Sequence, residues 1–107
     1  MIDISPKALR FARLAAERQT AFASDPQIAL IKRKEDAFRQ KDSRNRVERY
    51  VKISETTAAF CIRAMSALLE TPEQFESSEW DGNDFVFLQA ASKSLHQQLL
   101  QSNARSP

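Results

Sequence analysis

The chain has 107 residues, of which 42% are hydrophobic and 28% charged, with a formal net charge of +2. That is the size of one domain with a core of its own, and the balance excludes a disordered tail. There is one glycine, Gly82, where average usage gives about seven, so sandwiches, barrels and glycine-rich phosphate-binding loops are excluded.

The abundance of Ala, Gln, Glu, Arg and Leu points to helix. No run approaches the roughly 18 apolar residues of a membrane span, and the N-terminus carries no apolar leader. Lys7, Arg10, Arg13 and Arg18 faintly resemble a transit peptide, but Asp3 and Glu17 argue for a folded helix. Cys61 is the only cysteine, so no internal disulfide marks an oxidising compartment, and a cytoplasmic location is expected. The expected architecture is all-α: a small bundle of three to four helices with one long central helix, bent near 42–46. It occupies a single domain over 1–101, followed by a frayed tail at 102–107.

Ser5-Pro6, Asp25-Pro26 and Thr71-Pro72 each read as an N-cap followed by proline at the first helical position, where its missing N–H costs nothing. The first helix is expected from Pro6 to Phe22, with Ile4 stapled onto Leu9 and an apolar face of Ala8, Phe11, Ala12, Ala15 and Phe22. A second starts at Pro26, striped by Ile28, Ile31 and Phe38. Residues 39–46 contain nothing apolar. The stripe then resumes as Val47, Tyr50, Val51, Ser54, Ala58, Ile62, Met65 and Leu69.

One helix over 26–70 would be about 67 Å long, too long for a compact domain of this size, so either the chain bends near Asp42–Asn45 or a long hairpin buries its stripe against another copy, with Ser54 a second break point as an N-cap. Residues 46–53 also fit a half-exposed strand, with Arg46, Glu48, Tyr50 and Lys52 on its outer face. The unbroken helical phase to Leu69 favours helix there.

Thr71-Pro72-Glu73-Gln74 reads as a capping box opening a short helix to about Ser78. Trp80-Asp81-Gly82-Asn83 reads as a turn, and Asp84 as the cap of a last helix to about Gln101, striped by Phe85, Leu88, Ala91, Leu95 and Leu99.

Chemistry-bearing patterns are sparse. One Cys and one His in different predicted helices do not make a zinc site, and Asp81-Gly82-Asn83-Asp84 lacks the ligand spacing of a calcium loop. Cys61 lies on the apolar side of its helix, so a buried thiol is expected, and His96 flanks a stripe as a boundary residue. Glu70, Glu73, Glu76, Glu79, Asp81 and Asp84 read as a solvated acidic face. No catalytic residue, metal, cofactor or small-molecule substrate is expected.

Charge is unevenly spread. Residues 32–52 hold nine cations against four acids, a net of +5, whereas residues 53–107 net −4. Lys32–Asp36 and Glu35–Arg39 fall at i,i+4 spacing, as on a solvated helix face.

Two functions follow from this split. The first is a non-enzymatic protein–protein interaction module, of the adaptor, antagonist, chaperone-like or assembly kind, binding a partner protein or forming a homodimer. Its contact residues would be Tyr50, Val51, Ile62, Met65 and Trp80. The second is DNA binding through phosphate contacts from Arg44, Arg46, Arg49 and Lys52, with Tyr50 able to stack on a base. A strand at 46–53 followed by a helix would loosely resemble a ribbon–helix–helix dimer, although the interval from Leu69 to Asp84 is long for that motif.

Overall fold

A computed structural model describes residues 1–42, 49–74 and 80–105, apart from the side chains of residues 41, 42, 74 and 105. The fold is mostly helical, with a small two-stranded sheet. Strand β1 (Ile2–Ile4) leads into helix α1 (Pro6–Glu17), and α2 (Gln27–Asp42) follows. Strand β2 (Val51–Ile53), α3 (Glu55–Glu70) and α4 (Gly82–Arg105) complete the order. Helix α3 packs against both α1 and α4, α2 packs chiefly on α1, and β1 lies on α4 and α3.

Local chemistry accounts for most boundaries. The Ser5 hydroxyl accepts the Ala8 N–H at 3.2 Å, which starts α1 with Pro6 in its first turn. The helix stops at Glu17, short of the expected Phe22, because Gln19 is extended and its side-chain amide donates to the Ala15 carbonyl at 2.9 Å. That carbonyl would otherwise take the Gln19 N–H of a continuing helix. A 3₁₀ turn at Thr20–Phe22 then sets the Phe22 ring edge-on to Phe60, with centroids 5.6 Å apart. The Asp25 carboxylate accepts the Gln27 N–H at 2.9 Å where α2 begins.

The expected long central helix is not formed. Helix α2 ends at Asp42, α3 begins at Glu55, and Val51–Ile53 between them is a strand. It pairs antiparallel with β1 in the register Ile2–Ile53, Asp3–Lys52, Ile4–Val51. Both strands alternate: Ile2, Ile4 and Ile53 are buried, and Lys52 faces out. Ser54 then accepts the Thr57 N–H at 3.2 Å and caps α3, so the apolar period that looks continuous changes from two to 3.6 at this residue. The bend expected near 42–46 falls largely outside the described residues. The longest molecular dimension, 40 Å, has no room for the unbroken alternative.

At Thr71 the hydroxyl bonds back to the Ala67 carbonyl at 2.9 Å, and a 3₁₀ turn, Pro72–Gln74, follows. The rest of the expected short helix lies outside the described residues. Helix α4 opens two residues before Asp84, with Gly82 and Asn83 inside its first turn. Asp81 is the capping residue, its carboxylate accepting from the N–H of Asn83 at 2.8 Å and of Asp84 at 3.1 Å. Asp84 returns the bond by accepting the Asp81 N–H at 3.0 Å. The helix also runs past Gln101 to Arg105, and Ser102, expected in the tail, donates to Glu55 of α3.

One core cluster joins Ile2 and Ile4 to the Ala-rich face of α1, Ile31, Ile53, the inner face of α3, and Leu88 and Leu95 of α4. Among the described residues two polar ones, Thr57 and Glu35, are also buried. The Thr57 hydroxyl donates to the Gln27 side-chain oxygen at 2.9 Å, tying the start of α3 to the start of α2. Glu35 is 4% exposed, not on a solvated face as expected. Its carboxylate accepts from Arg13 Nε at 2.5 Å and Nη2 at 3.3 Å, and from Arg39 at 2.9 Å, while Arg13 also reaches Glu17 at 3.1 Å. This pairing raises the Arg13 pKa further above its ordinary value, chiefly through the hydrogen bond to Glu35.

Replacing one member of a buried pair strands the other's charge. Glu35→Ala is therefore expected to cost about 3 kcal/mol in urea unfolding, whereas Arg13→Met combined with Glu35→Leu recovers most of that loss. At Gly82, which is helical and exposed, an added Cβ meets nothing within 4 Å. Gly82→Ala is expected to stabilise by about 0.5 kcal/mol in thermal melts, by narrowing the unfolded ensemble.

Candidate functional site

An open cleft of about 640 Å³ lies between α2 and β2. That volume lies within the range of roughly 300–1,000 Å³ usual for binding pockets. Ala37 and Phe38 of α2 and Val51 of β2 give it an apolar floor, and Met1 and Tyr50 add exposed apolar surface. Lys34, Arg49 and Lys52 supply its cations. Among the described residues Asp3 is its one acid, and the Lys52 ammonium engages it at 3.0 Å. The Lys34 ammonium crosses to the Lys52 carbonyl at 3.1 Å and so links α2 to β2.

The two sets of sequence-derived site residues converge only in part. Tyr50 and Val51, expected at a protein interface, stand beside Arg49 and Lys52, expected at nucleic acid. Arg44 and Arg46 lie outside the described residues. Ile62 is half-buried against the core from α3, away from the cleft. Met65 is fully enclosed, because α3 is covered by α1 on one side and α4 on another, so it is core and not surface. Trp80 is half-buried at the edge of the same core, its ring 5.8 Å from that of Phe85. Lys34, Ala37 and Phe38 were not expected at the site. Their signal was the i, i+3, i+4 spacing that sets them on one helical face, but nothing in the sequence says that a strand lies opposite.

Elsewhere the chemistry is quiet. Cys61 is buried and His96 exposed. Among the described residues no group of three His, Cys, Asp or Glu side chains could hold a metal. No buried side-chain polar atom among them lacks a partner, so none calls for a ligand. No helix among them is long and apolar enough to cross a membrane. At the start of α4, Lys7 pairs with Asp84 at 2.6 Å and lies 4.8 Å from the Phe87 ring centroid. The Lys7 bond is the main reason the Asp84 carboxyl sits below its ordinary range.

No family model matches this chain, and neither a curated protein nor a solved structure is significantly similar to it.

Burial pushes the Cys61 thiol from 9.0 up to about 12. A folded-state value above the unfolded one favours folding fully below the unfolded pKa, and that advantage is lost as pH rises from there towards 12. The native protein is expected to resist thiol alkylation at pH 8 and to react once unfolded. Between pH 8 and 10 its stability should fall more steeply than that of Cys61→Ala, by about 1–2 kcal/mol.

Proposed function

We propose that this chain is a non-enzymatic protein-interaction module, and that its partner presents an acidic, partly apolar segment to the cleft between α2 and β2. The observation that carries this reading is the arrangement of the cleft: Phe38, Ala37 and Val51 form its floor, with Lys34, Arg49 and Lys52 around them. Apolar surface supplies affinity when covered, and a ring of one sign of charge selects the partner and its register. The surrounding segment 32–52 nets +5, which extends the same attraction beyond the cleft. The acidic C-terminal part of a second copy, net −4 over residues 53–107, is one partner of that chemistry.

A second reading, DNA binding, draws on the exposed cations Lys32, Arg33, Arg39, Arg49 and Lys52 and on a Tyr50 ring that is 58% exposed and free to stack.

The two readings separate in one titration. A labelled glutamate–tyrosine copolymer and a duplex DNA of equal charge are titrated at low and moderate salt, with light scattering to read self-association. The expected result is copolymer binding that weakens with salt. Lys34→Ala, Arg49→Ala and Lys52→Ala combined should weaken it roughly tenfold, the effect of three exposed pairs at about 0.5 kcal/mol each. Binding of DNA in preference to the copolymer replaces the first reading with the second. Failure of both ligands at low salt removes the cleft as a site.

A further inference from the structure

We propose that the outer edge of β2 is a strand-addition site, where the acidic partner segment pairs in extended form with the backbone of Lys52. This rests on the cleft reading above and specifies how the partner is held.

The register fixes which backbone groups are available. Asp3 and Lys52 face each other across the sheet. The Asp3 N–H donates to the side-chain oxygen of Gln98 on α4 at 2.9 Å, and the Gln98 amide donates back to the Asp3 carbonyl at 2.9 Å. Both Asp3 groups therefore point away from β2, which makes Asp3–Lys52 a pair with no ladder bonds between its members. The Lys52 N–H and carbonyl accordingly point outward on the other side. The Lys34 ammonium confirms this direction by reaching that carbonyl, and no described residue accepts from the Lys52 N–H.

The two edges of the sheet are thus treated differently. Gln98 offers β1 one acceptor and one donor, as a third strand would. Among the described residues, the β2 edge has only a flexible ammonium on one of its two groups, and it opens onto a cleft. An unpaired edge is a template for another extended chain. Alternate side chains of an added strand point to opposite faces, so apolar ones can meet Ala37 and Phe38 while acidic ones meet Arg49 and Lys52.

Charge decides the occupant. Pairing β2 with the β2 of a second copy would set these cations against each other, and like charges across a strand pair destabilise it. An acidic segment is attracted by both.

The test uses a fluorescein-labelled peptide alternating glutamate and valine, and two versions carrying backbone N-methyl groups on either the odd or the even residues. Methylation keeps every side chain and charge but removes the ladder donors of one edge. The whole chain is titrated by fluorescence anisotropy, and exchange of the Lys52 amide is followed by NMR. The expected result is that one methylated version loses at least tenfold in affinity, the other binds like the parent, and the Lys52 amide becomes protected only in the complex. Arg49→Glu, which lies outside the ladder, should weaken the parent peptide severalfold while leaving the protected amide pattern in place.

If both methylated versions bind like the parent and Lys52 still exchanges, charge alone holds the peptide: strand addition is overturned and the cleft reading survives. If no version binds at low salt, both are overturned. Displacement of the bound peptide by equimolar duplex DNA assigns the site to nucleic acid and also overturns the proposal.

Discussion

The antiparallel pairing of Ile2–Ile4 with Val51–Ile53 is the contact on which the remaining geometry depends. It fixes the N-terminal residues to the segment that joins α2 and α3, and it buries Ile2, Ile4 and Ile53 beneath the helices. A two-stranded ribbon by itself is marginal in water. This one is held by α4 on its β1 side, through the Gln98 amide, and by burial of its isoleucines in the common core. Ser5 and Ser54, which follow the two strands directly, cap α1 and α3, so each strand delivers its helix at a set position. The cleft exists because this ribbon stops α2 and α3 from merging, leaving one wall on each side.

The second organising contact is electrostatic and concerns α2. Glu35 is surrounded by Arg13 and Arg39, and through Arg13 the pairing spans α1 and α2. Helix α2 has few buried apolar residues, with Ile31 fully enclosed and Ile28 packed beside it. A charge removed from water must be paired in good geometry or it destabilises the fold, and here the carboxylate has both arginines. The Thr57–Gln27 hydrogen bond does the same for position at the start of the helix. The wall of the cleft is therefore set by directional polar contacts more than by apolar area.

Much of this was legible in the residues. The near absence of glycine implied helix, the Ser5-Pro6 and Asp25-Pro26 pairs marked two helix starts, and the stripes of α1 and α4 identified the buried faces correctly at Leu88 and Leu95. Ser54 was visible as a cap. What stayed hidden depends on contacts far apart in the chain. Ile2-Asp3-Ile4 is three residues long, too short for a period of two to stand out against one of 3.6, and over 46–53 the visible alternation was outweighed by the helical phase running on to Leu69. The pairing of the two strands, between residues 49 apart at Asp3–Lys52, leaves no local trace. Glu35 forms the expected i,i+4 pair with Arg39, but its burial stayed hidden because its other partner, Arg13, lies 22 residues away. The site was half visible for the same reason: Arg49 to Lys52 stood out by charge and pattern, while Lys34 and Phe38 joined them only once β2 had been placed. Asp81 displaced Asp84 as the cap of α4 because its carboxylate reaches two backbone N–H groups at once.

The clasp between Asp3 and Gln98 joins groups 95 residues apart. It has a bearing on how the chain acquires its shape during synthesis. A ribosome releases β1 well before α4, and the lock on β1 cannot close until Gln98 has emerged. Contacts of such separation are slow to form because a long loop must close before they reward it. Until α4 is made, Ile2 and Ile4 have no finished place to go. The residues of β1 thus leave the ribosome long before they are secured, and their isoleucines stay open to chaperones until α4 arrives.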